Sequence, residues 1–467
     1  MKTKEKVILI LSILAPFAVI FIYVWMTAAD VVFRDDIYLI KGGFVEKYCA
    51  GTLSLADLWR ASDINRLFGY SLLQLLSIKW SGMNSRIIVL MIPCMMLVTA
   101  MLVYHEYRRS LLPEKSPEFV AATFVLLSLI IFNLVQWEGL TFAYSFVFQA
   151  PMPLFVVSFI SMELFITKGN KKYWPAAFLL PCLAVLFFGG SHSFSFLASL
   201  AVVFTCYVAL NRGSLTKILW FRAGITGIFL AVIIFFYMYR IEVNNYWPVS
   251  SMSMDKLWAA PVDVLKFFMA ALGASVVGVN AANMYLSFRF MVFLGFCIFL
   301  VYCLCIYFYL AAALYKKTYL PLFLMLLAIL YLMFMTTGRF AYGLDYGMSS
   351  RYTCVSIYGL VGCIWTIILL AVYSGNLTLW QRSLFYAPVV IIISGVMLTS
   401  AVEWKIQPHR QTYFQNLYEI ALRVDTATGD ELSKFEERPE LVRQSLKVLR
   451  DCNLSIYRYS SANENVK

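Results

Sequence analysis

Apolar residues run almost unbroken through most of this chain, in blocks separated by short charged or glycine-rich segments. The blocks predict spans at roughly 7–28, 86–104, 118–136, 145–166, 174–189, 195–210, 220–240, 289–312, 319–336, 353–374 and 383–401. Most have about the 20 residues needed to cross the hydrocarbon core of a bilayer as a helix. The runs are continuous rather than alternating in period two, which favours helical spans over a β-barrel. The fifth and sixth blocks are short and share the turn "GGSHSFS", so they are read as tilted spans or as spans where the bilayer thins. The opening "MKTKEK" precedes a run too long for the apolar region of a signal peptide. No small-residue cleavage site follows, so it is read as a retained first helix. The fold class expected is an all-α polytopic membrane protein of about eleven transmembrane helices.

One segment threatens the count. "VDVLKFFMAALGASVVGV" (262–279) is apolar enough to span, but Asp263, Lys266 and two glycines interrupt it. It reads as a flat or re-entrant helix on the outer side. If it crosses instead, everything downstream inverts. With 262–279 re-entrant, residues 1–401 form the membrane domain, with outer loops 29–85, 241–288 and 337–352, and residues 402–467 form a polar outer tail. The tail contains two helical patches, 412–424 and 439–451, the second opening on Pro439, a residue well suited to the first helical position.

Composition sharpens this picture. Hydrophobic residues make up 61% of the chain and charged residues 14%, with mean hydropathy +0.75, far from a soluble domain. The formal charge is +12. With the N-terminus inside, the inner segments hold fifteen Lys and Arg against four acids, a balance of +11. The basic character is therefore a topology signal and does not point to nucleic-acid binding. Of ten cysteines, only Cys49 and Cys452 fall in aqueous segments. A bridge between them is possible, but nothing in the sequence pairs them.

Candidate chemistry clusters on the outer side. Directly after the first span, "FRDDIYLIKGG" presents adjacent acids Asp35 and Asp36 beside Arg34 and Lys41. Neighbouring carboxylates repel, which raises the pKa of one of them, and a divalent cation or Arg34 would relieve the repulsion. A raised carboxylate suits a general base; a solvated turn is the plainer alternative. "TTGRFAYGLDYGMSSRY" (336–352) carries Arg339, Arg351 and Tyr352 among glycines. Arginine binds phosphate through a two-pronged fork, while headgroup-paired arginines are the alternative. In "NLVQWEGLTFAYSFVFQ" (133–149), Glu138 is the lone charge of an outer turn, and an acid at such a depth is a functional candidate. His192 in "GGSHSFS" is a hydrogen-bond or proton-transfer candidate and equally a structural histidine. Trp59, Tyr246, Trp247, Trp258 and Tyr285 lie in outer loops, as sugar-stacking faces or interfacial anchors. Phosphate-binding glycine loops, zinc spacings and a serine nucleophile elbow are missing. An enzyme here would use an already activated, membrane-borne donor.

The stretches "FRDDIYLIKGG", "QWEGLTFAYSFVFQ" and "GRFAYGLDYGMSSRYTCVSIY" resemble outer-loop patterns of GT-C-type polytopic membrane glycosyltransferases. In size and layout the chain looks most like the serotype-converting O-antigen glucosyltransferases of phage-type modification systems. The resemblance implies a GT-C-like fold in a bacterial inner membrane, with a cytoplasmic N-terminus and a periplasmic C-terminus. It implies a polyprenyl-phosphate-linked sugar donor, made by a separate synthase and moved outward by a flippase. The acceptor would be an O-antigen, lipopolysaccharide or related envelope glycan. Asp35 or Asp36 would be the general base, with a possible Mg or Mn ion on the pair. Arg339 and Arg351 would hold the lipid phosphate and Glu138 would orient the sugar. Arg34, Lys41, His192 and Tyr352 complete the candidate substrate-binding set. Some members of the wider class have E-x-D or D-x-D where this chain has D-D, which leaves metal dependence open.

Other readings remain at this stage. An O-antigen polymerase or ligase would rely on Arg and His in a late outer loop. A transporter or lipid flippase would place acids and arginines within spans, and an acyltransferase would need a histidine with a nearby acid.

Overall fold

The computed structural model describes residues 3–59, 61–62, 65–112, 114–168, 171–210, 217–238, 254–373 and 379–458. The chain is an all-α polytopic membrane protein. Among the described residues, nine helices are long and apolar enough to cross a bilayer, or ten if one bent pair counts as a span. A two-residue antiparallel ladder, Ala61–Ser62 against Asn65–Arg66, is the β-structure found among them.

The first pass is α1 (Thr3–Thr27), followed by short helices α2 (Phe44–Cys49), α3 (Leu55–Trp59) and α4 (Phe68–Ser81). Next come α5 (Ser85–Leu111) and α6 (Pro117–Ile131), then the broken stretch of α7 (Trp137–Thr141) and α8 (Phe146–Gln149). The bundle continues through α9 (Pro151–Lys168), α10 (Trp174–Phe187), α11 (Ser191–Leu210) and α12 (Lys217–Met238). After α13 (Met254–Ala259), α14 (Pro261–Ala274) and α15 (Val279–Tyr285) meet at 102°. The last passes are α16 (Phe288–Ala311), α17 (Leu320–Arg339), α18 (Thr353–Tyr373) and the 44-residue α19 (Leu379–Leu422). Helices α20 (Gly429–Leu432) and α21 (Pro439–Asp451) form the tail.

Local chemistry sets these starts. Asn84, Ser116 and Ser287 accept hydrogen bonds from Ile87, Phe119 and Phe290 backbone N–H groups at the starts of α5, α6 and α16, satisfying donors the helix itself cannot. Among the described residues, nine of the eleven expected spans coincide with helices long and apolar enough to cross; the other two, 174–189 and 220–240, lie on α10 and α12, which are not among the nine. The 174–189 block is α10, only 14 residues long. The 220–240 block lies on α12 as far as Met238, and its last two positions lie outside the described residues, as do Tyr246 and Trp247.

Segment 262–279 is not a straight span. Both arms of the bent pair are fastened to the end of the bundle that carries the 340–352 turns. The Phe267 ring lies 6.0 Å from that of Phe340, Ser275 and Ser356 hydroxyls are 2.7 Å apart, and Asn280 donates to Glu403 at 2.8 Å. Gly273 and Gly295 bring α14 and α16 into backbone contact. A methyl group on Gly295 would sit 1.7 Å from the Met269 carbonyl oxygen, the small-residue packing that membrane helices use in place of a hydrophobic driving force. Helix α18 runs through the centre, with 89% of its apolar window buried. The Trp365 indole N–H donates to Ser110 at 3.2 Å.

The boundary expected at 401/402 falls inside α19, which runs unbroken from the last span into the tail. The tail is also docked onto the first loop. In α21 the buried residues Val442, Ser445, Leu446 and Leu449 form one face at helical spacing. The Ser445 hydroxyl donates to the Ile37 carbonyl at 3.2 Å, the Ser455 N–H donates to the Gly82 carbonyl at 2.6 Å, and Cys49 and Cys452 form a disulfide.

Candidate active site

Asp35 and Asp36 lie in a 3-10 turn, Arg34–Leu39, directly beyond α1. Arg34 has φ 52°, a left-handed conformation that costs a non-glycine residue energy and persists only when surroundings hold it. Two contacts do so: its N–H donates to the Phe435 carbonyl at 3.0 Å, and its guanidinium pairs with Glu138 at 2.5 Å.

A 3-10 turn carries successive side chains about 120° around the axis, so the two acids part. Asp36 is 2% exposed and accepts a hydrogen bond from the Tyr70 hydroxyl at 2.6 Å; that oxygen accepts in turn from Gln74 at 2.8 Å. Burial pushes the Asp36 carboxyl up to about 7, against the lowering effect of the Tyr70 hydrogen bond. Asp35 instead faces a cavity of about 570 Å³, with its carboxylate 3.9 Å from the Arg351 guanidinium. Of the two acids, Asp35 lines the cavity and Asp36 does not. Among the described residues, no group of three or more His, Cys, Asp or Glu side chains is placed to hold a metal ion.

The 340–352 segment supplies the other charge. Three 3-10 turns, Phe340–Tyr342, Leu344–Met348 and Ser350–Tyr352, fold it over the end of α17 and the start of α18. Arg351 donates to the Tyr346 hydroxyl, and its guanidinium carbon lies 5.5 and 5.3 Å from the Tyr346 and Tyr352 ring centres. Arg339 lies 5.7 Å from the Tyr342 ring centre, and Tyr342 stacks on Tyr346 at 5.1 Å. Aromatic faces hold a guanidinium without neutralising it, so the tyrosines leave both arginines charged. Both line the cavity, as does Tyr352.

The remaining candidates divide. Glu138 does not line the cavity. It is 8% exposed and accepts from the Ser349 and Ser350 hydroxyls at 3.2 and 3.4 Å as well as pairing with Arg34. These contacts join the first loop to the 340–352 turns. Lys41 pairs with Glu46 away from the cavity. Arg34 and His192 do line it. His192, in the first turn of α11, is 2% exposed, and its Nε2 engages the Phe188 carbonyl. A carbonyl only accepts, so Nε2 carries the proton.

Of the loop aromatics singled out from the sequence, the described ones, Trp59, Trp258 and Tyr285, do not line the cavity. Trp59 packs on Phe68 at 5.6 Å, and Trp258 and Tyr285 are exposed. Tyr38, Tyr342, Tyr346 and Tyr413 take their place, together with tail residues 433–438. The one sequence signal for the tail's involvement is that Cys49 and Cys452 alone stand outside the apolar runs.

Fold and site together define a polytopic helical membrane protein with a charged, tyrosine-rich cavity at one end of its bundle. No family model, no curated protein and no solved structure matches the chain.

Proposed function

We propose that this protein transfers a sugar, glucose in the first instance, from a polyprenyl-phosphate donor to an O-antigen or related envelope glycan at the outer face of a bacterial inner membrane. The observation that carries the reading is Asp35 lying 3.9 Å from Arg351 in one cavity that Arg339 also lines. Transfer from a phosphate needs a base for the acceptor hydroxyl and cations for the departing phosphate. The acceptor oxygen forms a bond to the sugar's anomeric carbon as the bond from that carbon to the phosphate oxygen breaks. The hydroxyl proton passes to the Asp35 carboxylate. The electron pair leaves on the lipid phosphate, beside Arg351 and Arg339.

The orientation has two supports. The inner segments hold the basic excess read from the sequence. The Cys49–Cys452 disulfide lies at the cavity end, and disulfides persist in oxidising compartments such as the periplasm. A donor on that face requires a separate synthase and a flippase to deliver it. The test compares surface-glycan masses in cells with and without the protein, with donor synthase and flippase present in both. A hexose increment that appears only with the protein is expected; identical masses would refute the reading.

A further inference from the structure

The cavity has two chemically different walls. One is formed by Arg339 and Arg351 with their tyrosines, a cationic surface matched to a phosphate. The other is formed by tail residues 433–438 with Tyr38 and Tyr413. Within 433–438, Lys434 and Arg438 balance Glu436 and Glu437, so this wall carries both hydrogen-bond donors and acceptors but no formal excess charge. That combination suits a neutral polyhydroxylated ligand better than an anion.

The Asp35 turn joins the two walls. Asp35 and Tyr38 are three residues apart in the 3-10 turn, so they share a face. Asp35 is directed at Arg351, and Tyr38 donates its hydroxyl to Glu436 at 2.9 Å. The Arg34 N–H to Phe435 carbonyl bond pins the tail to the same turn at 3.0 Å. Tyr413 donates to the Lys434 carbonyl at 2.9 Å, and its ring meets that of Phe33 edge-on at 6.3 Å. The carboxylate that would take the proton therefore sits between a phosphate-type wall and a polyol-type wall.

We infer that residues 433–438, with Tyr38 and Tyr413, form the subsite for the acceptor glycan, in which the Glu436 carboxylate receives hydrogen bonds from the glycan's hydroxyls. The tyrosine rings supply flat apolar faces for a sugar ring, and Lys434 and Arg438 supply donors. This inference rests on the transferase reading. It adds that acceptor choice is encoded in the tail, while donor binding is encoded in the 339–352 segment. Burial raises the Glu436 carboxyl, as does the Asp35 charge, against the lowering Tyr38 hydrogen bond, consistent with an acid set inside the cavity rather than out in solvent.

The experiment uses the full-length protein in lipid nanodiscs and two probes measured separately: polyprenyl phosphate, and an oligosaccharide released from the host's surface glycan. Glu436→Gln and Tyr413→Ala are expected to weaken oligosaccharide binding at least tenfold while leaving polyprenyl phosphate binding within twofold. Arg351→Ala is expected to do the reverse. Tyr38→Ala, which removes the ring face, carries the same test if Glu436→Gln fails to fold. Parallel losses for both probes, or no loss for either, would overturn the subsite. Wild-type protein that binds polyprenyl phosphate but not the oligosaccharide also overturns it, while the donor half of the function stands. Binding of neither probe removes the function and the subsite together.

Discussion

The Asp35 carboxylate and the Arg351 guanidinium lie 3.9 Å apart, although they come from the first loop and from the turn that opens α18. That spacing is close enough for a strong mutual field and too long for a tight hydrogen bond. A ligand phosphate can therefore take Arg351 without breaking a well-made bond. Arg351 is also held by Tyr346 and Tyr352, which fixes the direction of its fork. Arg351→Lys keeps the charge but loses the fork and the stacking. We expect transfer to fall by roughly two orders of magnitude, the loss seen when one preorganised donor to a developing charge is removed. A steady-state rate within threefold of wild type would show that only the charge matters.

Asp36 makes a pH prediction. Its carboxyl is pushed from an ordinary 3.8 to about 7, so the folded protein binds that proton more tightly than the unfolded chain. The stability it contributes is fully present below about pH 4 and is lost as the pH rises through 7. Asp30, held at Ser85 and Ser455, is raised to about 6 and acts in the same direction. Asp36→Asn should raise the melting temperature at pH 8 and leave it nearly unchanged at pH 4. Thermal unfolding of both proteins from pH 4 to 8 decides this, and an equal shift at every pH would contradict it.

Glu138 is predicted to matter through position rather than contact with substrate. It accepts from two serines and pairs with Arg34, whose side chain is 40% exposed, so solvent screens part of that pairing. Glu138→Ala should cost about 1–2 kcal/mol and lower the thermal midpoint. Glu138→Gln, which keeps one acceptor oxygen, should restore most of it. A wild-type midpoint for Glu138→Ala would show that the link is dispensable.

The Cys49–Cys452 bridge closes a sequence separation of 403 residues. Chain entropy alone gives on the order of 5–6 kcal/mol for so long a loop, an upper bound because other contacts already hold its ends. Cys49→Ser should release the tail from the first loop before the bundle unfolds. Limited proteolysis is expected to trim the variant's tail beyond α19 while the membrane part survives. Equal protease resistance with and without the bridge would show that Ser445, Ser455 and their partners suffice.

The bundle was legible because a span that faces lipid on one side and other helices on the rest is apolar all round, and bilayer thickness sets its length. The same logic exposed the weakness of 262–279, where Asp263, Lys266 and glycines mark a broken element. The site was half legible. Arg339 and Arg351 stood out because charge is scarce at span ends, and the Asp pair stood out as a pair. Which aspartate faces the cavity depends on the 3-10 turn, whose phase no hydrophobic pattern records. Glu138 looked like a ligand because its partners, Arg34 and Ser350, are distant in sequence. The wall built from 433–438 was hidden for the same reason: nothing local in that polar stretch says that Phe435 meets Arg34.

The central claim is that Asp35, and not its neighbour, takes the proton from the acceptor. The most direct measurement is the single-turnover transfer rate of purified Asp35→Asn and Asp36→Asn proteins, with a radiolabelled polyprenyl-phosphate-glucose donor and an O-antigen acceptor. General-base assistance contributes about 10²–10⁴-fold, so Asp35→Asn should lose at least a hundredfold with donor binding intact, and Asp36→Asn less than tenfold. Full activity in Asp35→Asn, or the larger loss in Asp36→Asn, would contradict the account.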